Sequence, residues 1–335
     1  MKLPLELTRP FKIENREAIA WAPSNIALVK YWGKRDSALN LPTHGSLSLS
    51  LGDRGTRTKL IWDDKAIEDS YFFNGQLLLT RQNEATRLRE FLDLFRPKKA
   101  GAYQVWTENN IPTAAGLASS ASGFAALVKA LNLLHGLNLD RRQLSILARL
   151  GSGSASRSLF EGFVTWHEGQ LSNGEDSYSE PLEVKWPQLQ WLIYMPSLEK
   201  KPISSREAMK RTSQTCPWFS TWVDSSRKWL EEAKEAVYKK DFTSLGLIME
   251  SSSLMMHASM MSSYPAFCYW KPETLEMMGR IERARKDNIE CYFTMDAGPS
   301  VKVLFQEKDR EALKERVQDL APLLWVDPWL DSPSR

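Results

Sequence analysis

The sequence predicts an α+β fold, in which antiparallel hairpins are mixed with helices rather than wound into a parallel sheet. Three observations lead there. Leu47, Leu49 and Leu51 alternate with Ser46, Ser48 and Ser50, the period of a strand. Asn74-Gly75 is a hairpin-turn signal between two short apolar runs. Phe124, Leu127, Val128, Leu131 and Leu134 recur at spacings of three and four, one face of a helix.

Strands are expected over Ala18 to Leu28, Ser46 to Leu51, Thr56 to Trp62 and Glu68 to Phe73. Pro23 and Asn25 interrupt the first of them. Gln76 to Leu79 returns after the Asn-Gly turn. Glu84 to Phe95 reads as a helix ended by Pro97. A strand over Ala102 to Glu108 leads into a run of small residues. Helices follow over Ser119 to His135 and Asp140 to Leu150, with Asp140 as N-cap of the second. Phe163 to His167 and Leu189 to Met195 are strand candidates. Beyond them helix dominates. Trp229, Leu230, Ala233, Ala236 and Val237 make an apolar face beside a Glu/Lys face. Phe242 to Met256 and Thr274 to Arg285 are similar. Cys291 to Met295 and Val301 to Phe305 are strands flanking Asp296-Ala297-Gly298-Pro299. Composition shifts near Trp186-Pro187, which divides the chain into domains 1–187 and 188–335.

A chain of 335 residues is long enough for two domains with sizeable cores. The net charge of +3, with no Lys/Arg block, permits small anionic ligands and does not point to nucleic acid. Three cysteines without C-x-x-C spacing fit a reducing compartment and argue against a disulfide framework. Four histidines include no H-x-x-x-H pair, so a protein-built zinc site is not expected. Residues 1–15 carry scattered charges and no apolar segment of signal-peptide type. No apolar run reaches membrane-spanning length, so no membrane role and a cytoplasmic location are expected.

Five segments could carry chemistry. The run Pro112 to Gly123 places small residues at a helix start, where backbone N–H groups and the helix dipole favour phosphate. It lacks the G-x-x-x-x-G-K-[ST] pattern, and a tightly packed helix start fits it equally well. Lys30, Lys34 and Arg35 surround Tyr31 and Trp32, a set suited to a diphosphate or to a solvated edge strand. Gly151 to Ser158 offers hydroxyls and Arg157, a carboxylate or phosphate clamp; the plainer reading is a Gly/Ser linker. Asp296, at a strand end before Gly-Pro, suits general-base or orienting work, or else merely initiates a turn. Ser204-Ser205, after Lys200-Lys201-Pro202, is either a mobile loop or an anion contact.

In order along the chain, these motifs resemble the diphosphomevalonate decarboxylases of the GHMP kinase superfamily. The resemblance rests on Ala22 to Asp36 (A-P-x-N-I-A-x-x-K-Y-W-G-K-R-D), Leu39-Asn40-Leu41-Pro42-Thr43 and Asn109 to Ala121. Ala148-Arg149, Gly151 to Ser154, Arg157-Ser158 and Asp296-Ala297-Gly298-Pro299 complete it. Weaker similarity covers Ser204-Ser205, Phe242 and Ser251 to His257. Two departures stand out: His44-Gly45 where Asn-Ser is usual, and Ser156 where Cys is usual.

The resemblance implies a GHMP kinase fold. An N-terminal domain like ribosomal protein S5 domain 2 sits beside a ferredoxin-like C-terminal domain, with the active site in the cleft. It implies ATP- and Mg²⁺-dependent decarboxylation of 5-diphosphomevalonate to isopentenyl diphosphate, CO₂, ADP and phosphate, through phosphorylation of the C3 hydroxyl. By the same analogy Pro112, Ala114, Ala115, Gly116, Leu117, Ala118, Ser119 and Ser120 bind the nucleotide. Gly116 to Ser120 cradle the phosphates, and Ser120 lies near Mg²⁺. Asp296 faces the C3 hydroxyl as base or orienting group, Lys30 supports it, and Arg157 holds the substrate carboxylate. Tyr31, Lys34, Ser152, Ser154 and Ser205 bind the substrate, chiefly its diphosphate. A homodimer is common in such families. The competing readings are an enzyme for 5-phosphomevalonate, a mevalonate 3-kinase, and a catalytically silent binding protein of the same fold. The Tyr31/Lys34 pair favours a diphosphate, and a silent relative would be expected to lack Lys30 or Asp296.

Overall fold

The computed structural model describes residues 3, 11–79, 83–111, 119–197, 203–331 and 333. Thirteen strands and eight α-helices are defined among them. In chain order they are β1 (Glu17–Val29), β2 (Lys34–Asp36), β3 (Leu41–Pro42), β4 (Ser46–Asp63), β5 (Ser70–Phe73), β6 (Gln76–Leu77) and α1 (Asn83–Leu92). Next come β7 (Ala102–Asn109), α2 (Ser119–Leu134), α3 (Arg141–Gly151), β8 (Phe163–Trp166) and β9 (Ser179–Pro181). The remainder is β10 (Leu189–Tyr194), α4 (Ser205–Thr215), α5 (Phe219–Lys239), α6 (Phe242–Met261) and α7 (Pro272–Lys286), then β11 (Cys291–Met295), β12 (Val301–Gln306), α8 (Arg310–Val317) and β13 (Leu323–Val326).

Two sheets organise the molecule. The first has the order β6-β5-β7-β4-β8-β9, with β1 also paired to β4, and only β5–β7 is parallel. The second is antiparallel in the order β11-β12-β10-β13. Its chain sequence, β10–helices–β11–β12–α8–β13, is the ferredoxin-like β-α-β-β-α-β arrangement. The α+β expectation holds.

Local sequence explains several elements. Asp140 caps α3 through a full capping box with Gln143. Asn74 and Gly75 both carry positive φ, as a two-residue hairpin turn requires. The structure corrects other expectations. The strands expected over Ser46–Leu51 and Thr56–Trp62 are one, β4. Pro23 pairs with Gly55 and Asn25 with Ser50, so residues 51–54 bulge opposite Ser24 without breaking the ladder. That bulge is also where Pro23 is tolerated inside a strand. Helix α1 ends at Leu92, short of Phe95, because residues 93–95 close as a turn. Helix α6 continues to Met261, since no breaker comes before Pro265. Strands β2, β3, β9 and β13 and helices α4 and α8 went unread; the strands have too few residues to show a period.

Burial is divided among several clusters. Ala18, Ala20 and Ala22 of β1 pack with Leu60, Tyr103 and Val105 against α2 and α3. Farther along β1, Ile26 and Leu28 join Leu47 and Leu49 in a second cluster. That cluster also takes Trp191 and Ile193 of β10, Leu230 of α5 and Met249 of α6. So β1 leaves one core, enters a core shared by both sheets, and delivers Lys30 there. Val301, Val303 and Phe305 of β12 face α7 and α8. Leu304 joins the shared core instead, and strand alternation puts Lys302 on that side as well.

Candidate active site

Three segments distant in sequence meet at the end of β1. Lys30 follows β1 and is 1% exposed, so it is not a solvated edge lysine. Its Nζ lies 2.8 Å from Asp296 Oδ1. Asp296 follows β11, and its carboxylate also meets Lys302 of β12, with Nζ 3.3 Å from Oδ2. Helix α6 fixes both partners. Ser252 Oγ accepts from the Lys30 amide at 3.0 Å, and Ser253 Oγ accepts from the Met295 amide at 2.8 Å. The Asp296 backbone makes a tight turn, with Gly298 N–H to its carbonyl, but the side chain leaves the turn for the two lysines.

Charges here are strongly coupled. Burial pushes the Asp296 carboxyl up, but Lys30 and Lys302 together push it further down, leaving it well below the usual carboxylate range. Burial lowers Lys30 to about 8, with Asp296 opposing the shift and Lys302 and Arg157 adding to it. His257 of α6 is fully buried near Asp296, and its Nε2 has no hydrogen-bond partner among the described residues. Burial and the Lys30 charge lower it to about 3, so the imidazole is neutral.

Arg157 follows a short 3-10 turn, Gly153–Ser156, and is buried beneath the first sheet rather than held in a linker. It donates to Ser46 Oγ and, at 3.4 Å, to Asn25 Oδ1. Asn25 is held in turn by Ser158 at 2.6 Å. Among the described residues no carboxylate lies within 4.0 Å of the Arg157 guanidinium. Burial lowers it to about 10, with Asp296 opposing. A buried guanidinium bonded only to neutral groups is suited to an incoming anion.

Tyr31 packs edge-on to Trp166 with ring centroids 4.7 Å apart. Its buried hydroxyl has no hydrogen-bond partner among the described residues. Gly153 makes that placement possible, since a Cβ there would lie 2.7 Å from the hydroxyl. Ser152 Oγ sits 3.4 Å from both Ser154 Oγ and Ser120 Oγ, joining the 151–158 segment to the start of α2.

Beside this cluster lies a cleft of about 500 Å³ lined by Lys34, Arg87, Arg206 and Lys210, with Glu90 the single carboxylate among the described lining residues. Burial, then Arg206 and Arg87, lowers Lys34 to about 8. Lys34 donates to Asn40 Oδ1 at 2.5 Å, and Asn40 donates to the Arg149 and Leu150 carbonyls at 2.9 Å each. The last turn of α3 thus aims the lysine.

Of the sequence-derived site residues, Lys30 and Asp296 are paired and Arg157 is close enough to couple with them. Lys34 lines the cleft. Ser205 is the first residue of α4, not part of a loop, and Ser204 caps that helix through Glu207 N–H at 3.2 Å. Ser205 is absent from the cleft lining, although its neighbour Arg206 is present. Pro112, Ala114, Ala115, Gly116, Leu117 and Ala118 lie outside the described residues, as do Lys200, Lys201 and Pro202. Ser119 and Ser120 open α2, a 16-residue helix, and Ser120 is exposed. Among the described residues no cluster of three His, Cys, Asp or Glu could hold a metal ion. Sequence reasoning missed Lys302, Arg87, Arg206 and Lys210. Only Lys302 left a signal, a lone charge inside an apolar strand.

The two departures are packing features. His44 is fully buried, edge-on to Trp222 at 5.3 Å, and burial lowers it to about 4. Gly45 faces Leu230 Cδ2 and the Trp166 carbonyl, where a Cβ would lie at 2.5 and 2.9 Å. Ser156 is buried and bonded to the Gly153 carbonyl and Ser179 Oγ.

Comparison with known proteins bears on most of the chain. Residues 22–179 match the diphosphomevalonate decarboxylase-like N-terminal domain, and residues 191–326 match the mevalonate 5-diphosphate decarboxylase C-terminal domain. The diphosphomevalonate decarboxylase of Aspergillus fumigatus is 37% identical over 317 residues, covering 88% of this chain and 78% of that one. The mevalonate diphosphate decarboxylase structure from Staphylococcus aureus superposes with a TM-score of 0.89 at 36% identity, covering 95% and 97% of the two chains. A complex of the protein designated MDDEF with MVAPP, AMPPCP and magnesium gives 0.88 at 42% identity, covering 93% and 96%.

Proposed function

The chain belongs to the diphosphomevalonate decarboxylase family, and from that premise we propose how its own residues carry the reaction. The enzyme converts 5-diphosphomevalonate and ATP to isopentenyl diphosphate, CO₂, ADP and phosphate. The C3 hydroxyl is a poor leaving group, so it first receives the γ-phosphoryl group. Phosphate then departs with positive charge developing at C3. The bond to the carboxylate breaks, its electron pair forms the double bond, and CO₂ leaves.

Asp296 accepts the hydrogen bond of the C3 hydroxyl and orients it. The hydroxyl proton leaves late, through Asp296, as the O–P bond forms and the bond from the γ-phosphorus to ADP breaks. A carboxylate held this acidic is a weak base, which suits phosphoryl transfer through a loose transition state. Lys30, desolvated and beside Asp296, stabilises the charge of the transferring group. Arg157 holds the substrate carboxylate. Tyr31, Lys34, Ser152, Ser154 and Ser205 contact the substrate, and Arg87, Arg206 and Lys210 join Lys34 around the diphosphate. The run Pro112 to Ser120 binds the ATP phosphates.

The residues present fit Mg²⁺. The exposed Ser120 hydroxyl at the start of α2 would hold the ion together with phosphate oxygens and water. When bound it neutralises phosphate charge.

The observation that carries this reading is the buried Lys30–Asp296–Lys302 cluster beside an Arg157 that lacks an ion-pair partner among the described residues. The purified protein should release CO₂ and ADP in equal amounts from ATP, Mg²⁺ and 5-diphosphomevalonate. ADP without CO₂ would identify a 3-kinase. A side-by-side assay of mevalonate, its 5-phosphate and its 5-diphosphate tests the diphosphate preference that the four cationic cleft residues support. A domain boundary at 187 is supported by the change of sheet between β9 and β10. Three free cysteines support a cytoplasmic location, and no helix among the described residues could span a membrane. A homodimer completes the proposal, with light scattering as its check.

A further inference from the structure

Lys302 is the least expected charge in the molecule. It sits in a strand of apolar residues with no exposed side-chain surface. An apolar side chain would fill the same space without the cost of desolvating an ammonium. Its contacts explain why a cation is there: Asp296 Oδ2 at 3.3 Å and the Ser300 carbonyl, also at 3.3 Å. Lys30 takes the other carboxylate oxygen. The Asp296 side chain keeps 28% of its surface open, while Lys30 and Lys302 keep 2% and 0%. The carboxylate is therefore the accessible edge of the cluster, and Lys302 stands behind it, out of reach of a substrate.

We propose that Lys302 is a positioning residue for this reaction: it pins Asp296 Oδ2 and holds the carboxylate ionised, so that one fixed edge meets the C3 hydroxyl. The inference rests on the reading of Asp296 given above. The charged and titratable groups around the carboxylate are Lys30 from β1, Lys302 from β12, His257 from α6 and Arg157 after the 3-10 turn. Lys30 remains in place when Lys302 is removed, so the carboxylate keeps one partner and loses the other. Two buried ammonium groups on one carboxylate leave a surplus positive charge, which an anionic substrate offsets.

The test compares Lys302→Met with wild type. In the folded variant kcat should fall roughly 10- to 100-fold, as for a misplaced reacting group, with KM for 5-diphosphomevalonate little changed. The acid limb of kcat should move up by about one pH unit or more, because a neighbouring cation is gone. Lys302→Arg, which keeps the charge, should leave that limb in place. An acid limb unmoved in Lys302→Met overturns the proposal. A thermal-melting cycle with Asp296→Asn reads the same contact without turnover. The Met substitution should cost less in the Asn background than in wild type, and equal costs overturn the proposal. If Lys302→Met does not fold, a folded double variant supports the coupling and an unfolded one overturns it. A wild type that releases no CO₂ would sink the functional reading instead, and the melting cycle would still report on the contact.

Discussion

The molecule holds positive charge in two ways. At the end of β1, Lys30, Lys302 and Arg157 are buried, and the two lysines share one carboxylate. In the adjacent cleft Lys34, Arg87, Arg206 and Lys210 line open space on long side chains, with Glu90 the only carboxylate among the described lining residues. The first group is desolvated and fixed before substrate arrives. Charges buried in this way interact through a low effective dielectric. In the second, Arg206 and Lys210 are exposed to solvent and its screening while Lys34 is partly buried, an arrangement suited to a polyanion. The groups proposed for bond-making are buried and largely fixed by neighbours, whereas the groups proposed for anchoring line open space.

That contrast can be broken at several points. Asp296→Asn should have the largest effect, a loss of CO₂ release of roughly 10³-fold. Nucleotide binding measured by calorimetry should be retained, and retained turnover would remove Asp296 from the mechanism. Arg157→Ala should cost about 10²-fold in kcat/KM, the scale of a charge-assisted bond lost in a buried site. Arg206→Ala should instead raise KM for 5-diphosphomevalonate roughly tenfold, with kcat nearly kept. Wild-type KM should also rise with salt, since cleft charges are screened and the buried cluster is not. A kcat-dominated loss in Arg206→Ala would erase the distinction between the two regions.

The pH dependence is a gentler probe. Lys30 is lowered to about 8 by burial, so its ammonium is present below that pH and lost as pH rises through it. The kcat/KM profile of the free enzyme should fall above about pH 8. Asp296 sits below the usual carboxylate range, so its anion persists as the solution is acidified through pH 4. The smallest effect is expected outside both regions. Gly45→Ser should lower stability by about 1–3 kcal/mol through overpacking against Leu230 and Trp166, read as a fall in Tm with kcat intact. A change in kcat would return residue 45 to the site.

Legibility followed the range of the interaction. The capping box at Asp140 and the turn at Asn74-Gly75 are local, and both appear where the sequence put them. The break expected at Gly52 to Gly55 became a bulge, because pairing with β1 on either side outweighs local turn preference. Ser204 looked like a loop residue and is a helix cap, a role that depends on the residues after it. Arg87 and Arg206 carry no pattern of their own. Their meaning comes from α1 and α4 facing one cleft.

The sequence by itself determined the fold class, most of the longer elements and the family, and it singled out Lys30, Arg157 and Asp296 as candidates. Those depend on spacing and residue type, which are properties of the linear chain. Only the tertiary structure decided that Asp296 carries two lysines, that Arg157 lacks an ion-pair partner among the described residues, and that four cations share a cleft. Those facts arise from strands and helices far apart in the chain. Their energies depend on burial and on distances of a few ångströms, which no local pattern encodes.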